Sequence, residues 1–558
     1  MNRVGGGDYM KISSDQEDKT PVPSRPKGGL LTMPFIIANE SLERVASSAP
    51  NIFFYLTEGY HMSNASGQSI LQLSSAMANF SPIFGAFLSD SYLGRFQVIA
   101  MGSISSFLGV VLLWLTAMIP AAKPQTGESP NSGQLALLYS SFVLMAIGSG
   151  GIRPCSMAFG ADQLKRKEDS PNYKRILQSY FSWYYASIGF SILISMTVIV
   201  YIPDRFGWKW GFGVPAVLMF LSVLSFLVGS SLYVKVDAGI SLFTALAQVI
   251  VVSFKNRSLA HPPDGRYHFH KESNLGRPSE NLRFLNKACI IRDPENDLNP
   301  DGSTSKPWNS CTVEQVEALK SIIRILPIWS TGIIMYAAVS LNSLALGQVQ
   351  GMDRHLTPNF EIPAASIYVF TVITLTVGIA VYDRAVVPFL AKFAGQPRGL
   401  SYQVRMGIGL VLSSVAMVVA AMIEMVRRKS FQEGSADTPP GSLFQMSAFW
   451  LVPQLCLGGL AEAFNAIGQI EFYYSRLPKN MSSFAMALHS LGSGFAGLLA
   501  SFLVNTVDGI SKQGGKQSWV ANDPNNGHYD YFYWFLAILC AANFMYFLLC
   551  CRAFGGKV

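Results

Sequence analysis

The sequence predicts an all-α membrane protein with twelve transmembrane helices in two six-helix halves. Three observations predict it. Charged residues are 14% of the 558, against about 25% in a soluble domain, too few to cover several soluble cores. Hydrophobic residues reach 50% and aromatics 12%, with a mean hydropathy of +0.30. The apolar residues are gathered into runs of about 20, the length a helix needs to cross a bilayer core. This composition excludes a mainly disordered chain, a coiled coil and a soluble multidomain enzyme.

Twelve runs lie near 33–57, 67–89, 97–120, 133–160, 178–202, 208–234, 318–346, 363–389, 402–426, 442–474, 482–506 and 530–551. An even count puts both termini on one side. The N-terminal tail, the even-to-odd loops and the C-terminus hold about 27 of the 42 Lys+Arg, and the opposite loops about 9. That bias predicts cytoplasmic termini. It also assigns the net charge of +8 to topology, with no nucleic-acid partner. Residues 1–29 read as a disordered tail and 553–558 as a short cytoplasmic one. No cleavable signal peptide is evident.

The longest connection, 236–317, separates a first half (30–235) from a second (318–552). Its opening, SLFTALAQVIVVSFKNR, predicts an amphipathic helix along the membrane face. The following HPPDGRYHFHKESNLGRPSE reads as a polar cytoplasmic linker, with His268 and His270 solvated rather than metal-binding. The seven cysteines make neither a CxxC nor a Cys/His spacing, so no disulfide framework or zinc site is expected. Two six-helix halves joined by a cytoplasmic linker are the plan of the major facilitator fold, whose halves rock about a site near the midplane.

A charge at the bilayer centre costs at least about 2.5 kcal/mol, so charges inside the runs carry the information. Run one holds Glu40, Glu43 and Arg44, which spacings of three and four put on one helix face. Two carboxylates beside one guanidinium suit proton work, the Arg keeping one ionised while the other is desolvated. A structural ion-pair cluster is the alternative. Run four holds Arg153 in GSGGIRPC, where Gly148, Gly150 and Gly151 thin the helix and Pro154 removes a donor. An Arg that keeps its proton suits anion attraction or carboxylate pairing.

Run ten holds Glu462 and Glu471. Nine residues apart, they point to roughly opposite faces. Glu471 is expected to face Arg153 across a cavity and to couple proton movement to rocking. Glu462 stands between that role and helix packing. His489, in run eleven, reads as a packing residue before a proton carrier. Tyr185 beside Trp183 and Tyr184, and Tyr336 with Asn342 and Trp329, are candidate pocket residues. In SDSYLGRF, Asp90 and Arg95 bracket a tight turn that is similar to the gate motif of major facilitators.

Glu40-Ser-Leu-Glu43-Arg44, FGADQ (159–163), YFSWYYASIG (180–189), IGQIEFYY and RLPKNMSS resemble, over nearly the whole chain, the motifs of the plant nitrate/peptide transporter family, also called the proton-dependent oligopeptide transporter family. The N-terminal motifs look most like its low-affinity nitrate carriers. The resemblance implies proton symport by alternating access and no cofactor. It assigns proton coupling to Glu40, Glu43, Arg44 and Glu471, the last pairing with a helix-four base that is usually Lys and is Arg153 here.

Three departures from the family bear on substrate. No aromatic run follows the ExxER motif, which weakens a dipeptide substrate. The dual-affinity nitrate carrier binds its anion with a helix-seven histidine, whereas 318–346 has none and Val339 stands near that place. The turn after Gly94 runs Phe96-Gln97-Val98, without the hydroxyl that carrier phosphorylates.

The leading reading is therefore a low-affinity proton-coupled nitrate symporter in the plasma membrane. Its substrate residues would be Arg153, Tyr185, Tyr336 and Asn342, and its partners protons, a small anion and the lipid bilayer. The alternative is the same mechanism for a gibberellin or other hormone acid, a glucosinolate or a small peptide. A transport-dead sensor is a third reading. An enzyme is excluded by the absence of a P-loop, a GxSxG and a metal-ligand cluster.

Overall fold

The computed structural model describes residues 28–47, 49–125, 128–164, 173–235, 242–259, 267–268, 277–291, 308–358, 360–393, 400–434, 444–477 and 482–554. The first half comprises α1 (Met33–Ala46, with a short continuation Ala49–Phe54), α2 (Asn64–Leu88), α3 (Arg95–Met118), α4 (Ser132–Leu164), α5 (Tyr173–Ile194, continued by Val200–Phe206) and α6 (Trp208–Val228). Among the described residues of the linker, α7 (Leu242–Lys255) follows, with a short 3-10 turn at Arg283–Cys289. The second half comprises α8 (Val313–Ser340, continued by Ala345–Gln350), α9 (Val369–Val381, continued by Val387–Phe393), α10 (Tyr402–Gly434), α11 (Val452–Arg476), α12 (Ser482–Ser511) and α13 (Tyr529–Phe554). The strands are short: Met352–Asp353 pairs with Phe444–Ser447, and His355–Thr357 with Phe360–Glu361.

Nine helices among the described residues are long and apolar enough to cross a membrane. The other three of the twelve are α1, α2 and α11, and each has a polar interior face. α1 ends where Ser47 leaves helical geometry (φ −87°, ψ 60°). α2 buries Gln68 and Gln72, and α11 buries Gln454, Asn465 and Gln469. An all-α membrane protein thus hides its least apolar helices inside the bundle, where other helices and not lipid meet the polar groups.

Local chemistry explains several boundaries. Pro34 stands at the start of α1, where its missing N–H costs nothing. Ser63 caps α2, and Thr312 with Gln315 closes a capping box on α8. Gly94 turns the chain between α2 and α3 at φ +77°, a left-handed conformation that favours glycine. The glycine run of α4 is in close contact on two sides. A Cβ on Gly150 would lie 2.6 Å from Ser81 of α2, and one on Gly148 would lie 2.5 Å from the backbone N of Ser106 of α3. Small residues let three backbones meet there, and Arg153 sits one turn further along.

The halves touch at the end of the bundle away from the linker. Asn64 Nδ2 donates to Asn522 O at 2.8 Å, Gln72 Nε2 to Ser340 O at 3.2 Å, and Asn505 Nδ2 to Ser69 Oγ at 2.8 Å. One apolar cluster spans the same end, with Phe53, Tyr55 and Phe212 from the first half and Leu346, Val349 and Leu455 from the second. That end is closed. At the linker end, Glu471 is half exposed.

The linker packs against the second half. Val249 and Val252 of α7 join the cluster of Val313 and Val316 at the start of α8. His268 is buried, not solvated as expected. Its backbone N–H donates to Cys289 O and its carbonyl accepts from Val313 N, both at 2.9 Å. His270 and the tail 1–27 lie outside the described residues.

Candidate functional site

The site is built outward from α1. Asn39, fully buried, sets the rotation of this helix. Its Nδ2 donates to Ser103 Oγ of α3 and Ser222 Oγ of α6, both at 3.0 Å, and Ser222 Oγ donates back to Asn39 O at 2.9 Å. A buried polar group needs such partners, and meeting them leaves one orientation for α1. The residues next along the same helix, Glu40, Glu43 and Arg44, then face the interior. Sequence reading passed over Asn39, although an amide in an apolar run opposite Ser103 and Ser222 was its signal.

With Arg153 of α4, the three charges form two pairs. Arg44 Nε donates to Glu40 Oε1 at 3.1 Å. Arg153 Nη2 of α4 donates to Glu43 Oε1 at 3.2 Å, and Ser47 Oγ donates to the same oxygen at 3.1 Å. Both carboxylates are 1% exposed, while Arg44 and Arg153 are 26% and 24% exposed. The acids are thus sealed and the guanidinium groups reach the open interior. Glu40 Oε2, Glu43 Oε2 and Arg153 Nε are buried without a hydrogen-bond partner among the described residues. A carboxylate with one oxygen held and the other free can take a proton without breaking its fold contacts.

The expected Arg153–Glu471 pair is not formed. Glu471 is held by Arg405 at the start of α10, near the linker end. Glu462, two and a half turns earlier on α11, lies instead in the interior, close enough to Tyr336 and Tyr368 to act on both electrostatically. The helical arithmetic that separated the two acids holds, but the acid facing inward is Glu462. The reason is position along the axis: Glu471 falls within the last two turns of α11, beside Arg405 at the start of α10.

The other candidates are spread. Tyr336 is 8% exposed with its Oη unpartnered, and its ring meets His489 of α12 edge to face at 5.6 Å. Asn342 is 2% exposed and lies over Gly458, where a Cβ would come within 2.9 Å of its Nδ2, so it packs between α8 and α11 instead of facing an open space. The Tyr185 side chain lies outside the described residues; Tyr184 beside it is buried against Tyr180. Arg95 is 3.8 Å from Asp90 and is bound more closely by Asp162 of α4. The gate turn is thus tied to FGADQ, a link that the motif did not reveal. Among the described residues, no group of three metal-ligating side chains occurs.

Known proteins match the chain over most of its length. The model of the POT family (PTR2) matches residues 96–520. Protein NRT1/PTR FAMILY 1.2 of Arabidopsis thaliana is 49% identical over 552 residues, covering 95% of this chain and 90% of that protein. Protein NRT1/PTR FAMILY 1.1 of the same plant is 49% identical over 550 residues, covering 96% and 93%. The crystal structure of an auto-inhibited POT family peptide transporter is similar in fold, with a TM-score of 0.68 at 18% identity over 94% of this chain and 97% of the other. The POT family transporter PepTSo is similar with a TM-score of 0.67 at 17% identity, over 94% and 98%.

Proposed function

The chain belongs to the POT family of membrane transporters, and from that premise we propose that it is a low-affinity, proton-coupled symporter of nitrate, working by alternating access. The observation that carries the reading is the pairing of Arg153 with Glu43. An Arg committed to a buried carboxylate is unavailable to an anion. A proton on Glu43 neutralises that carboxylate and frees the guanidinium for the substrate. That proton and the anion then enter together, so the exchange at Glu43 leaves the charge of the sealed site unchanged. Glu40, paired with Arg44, carries a second proton through each cycle, so two protons enter per anion and the cycle carries net inward charge. Glu462 is the carboxylate of the opposite half to which Arg153 can turn when the anion leaves.

Closure at the end away from the linker is one of the two states that alternating access requires. With the linker and both termini cytoplasmic, this state faces the cytoplasm. We assign the protein to the plasma membrane, with Asp90, Arg95 and Asp162 latching the linker end of the first half. The turn after Gly94 has no hydroxyl in Phe96-Gln97-Val98, which favours one fixed affinity.

A second reading keeps the mechanism and exchanges nitrate for an organic anion. It is favoured by the unpartnered polar groups of the second half. Uptake into proteoliposomes separates these readings. Labelled nitrate should accumulate under an inward proton gradient and stop when a protonophore removes it. Accumulation of an organic acid without nitrate would establish the second reading, and nitrate entry indifferent to the gradient would refute proton coupling.

A further inference from the structure

Arg44 and Arg153 reach the open space from α1 and α4. In the second half, Tyr336 of α8 lies against His489 of α12, and Glu462 of α11 is near enough to Tyr336 to act on it electrostatically. The Tyr336 hydroxyl and His489 Nδ1 are both buried without a hydrogen-bond partner among the described residues. A buried polar group left without a partner is unfavourable, and both rings of this one pair carry such a group.

The pair is also held rigidly. The rings meet at 5.6 Å and 84°. Trp329 Nε1 of α8 donates to the carbonyl of Leu488 at 2.8 Å, fixing α12 at the residue before His489. Ser493 Oγ donates to His489 O at 3.3 Å, holding the backbone one turn on. Polar groups fixed in place among apolar neighbours such as Leu488 and Met335 are arranged as a recognition surface is, with few donors and acceptors in defined positions.

We propose that Tyr336 and His489 form a specificity subsite for a hydroxyl group on an organic acid whose carboxylate is held by Arg153. This inference deepens the anion-symport reading and rests on it. The hydroxyl oxygen accepts from one of the two groups and its proton is donated to the other, since a phenol and an imidazole can each play either part. Glu462 disfavours a second anion at this end, so the far group is neutral. Nitrate, with no far group, fills only the Arg153 end.

The test compares two acids that differ by one hydroxyl, phenylacetate and 4-hydroxyphenylacetate, as competitors of nitrate-evoked current and as ligands shifting the melting of the purified protein. The hydroxylated acid should bind about tenfold more tightly, the value of one good hydrogen bond. In Tyr336→Phe and in His489→Phe, which keep the ring pair, the ratio should fall towards one. A ratio near one in the native protein, or a tenfold ratio that survives both substitutions, would overturn the subsite. Absence of any proton-coupled anion current would instead sink the symport reading, and the melting shifts would still decide the hydroxyl preference.

Discussion

Arg153 and Glu43 are joined across α1 and α4, Nη2 to Oε1 at 3.2 Å, while Glu471 is held elsewhere by Arg405. The carboxylate bound to the site's fixed cation therefore lies in the same half of the molecule. Removing the Arg leaves Glu43 with Ser47 as its donor. Arg153→Ala should abolish uptake, and adding Glu471→Ala should not restore it. Labelled uptake in cells with confirmed surface expression checks this. Recovery in the double variant would show that Glu471 is the relevant partner after all.

Glu40 has the other guanidinium, Arg44, and a free Oε2. Glu40→Gln keeps the hydrogen-bonding shape and removes the titratable group. Proton-driven accumulation should disappear while counterflow exchange of substrate across equal pH persists. Parallel loss of both would make Glu40 a packing residue.

Glu58 lies beyond the short continuation of α1 and accepts from Gln350 Nε2 at 2.8 Å across the two halves. Burial raises its pKa above the ordinary carboxylate value. The Gln350 hydrogen bond opposes this and the charge of Asp204 adds to it. The folded chain therefore binds this proton more tightly than the unfolded chain does. The stability it contributes is full below the ordinary carboxylate pKa and is lost as pH rises through the raised value. The melting temperature in detergent should fall slightly as pH rises through that window, and Glu58→Gln should flatten the dependence.

Arg427 and Glu424 of α10 are 2% and 1% exposed and doubly hydrogen-bonded, Nε to Oε2 at 2.7 Å and Nη2 to Oε1 at 2.9 Å. Gln348 Nε2 of the α8 continuation donates to the same carboxylate at 2.8 Å, and Arg427 Nη1 donates to Asn525 at 2.6 Å. Breaking a buried pair on one side costs about 3–5 kcal/mol. Arg427→Met should lower the melting temperature in detergent markedly, and adding Glu424→Gln should recover most of the loss. An unchanged melt in the single variant would show that water reaches the carboxylate.

Much of this was legible in the sequence because membrane insertion leaves a plain signature. Apolar run length located the helices, and spacings of three and four put Glu40, Glu43 and Arg44 on one face. The pairing of charges was not legible. Helical phase separates Glu462 from Glu471 but does not say how deep each lies relative to Arg153, which depends on where α4 and α11 cross. Asn39 was hidden for a related reason: its partners Ser103 and Ser222 are 64 and 183 residues away. α7 was expected as an amphipathic helix from its pattern alone, but the burial of His268 depends on contacts with Cys289 and Val313 that no local pattern reports.

The most direct test of the central claim is the nitrate-evoked current in oocytes carrying the native protein or Glu43→Gln, recorded at acid and at neutral external pH. If Glu43 exchanges its place on Arg153 for the anion by taking a proton, the native protein gives an inward current at acid pH that vanishes towards neutrality. Glu43→Gln, with surface expression confirmed, gives none at either pH. A current of equal size at both pH values, or one that Glu43→Gln leaves intact, would contradict the exchange.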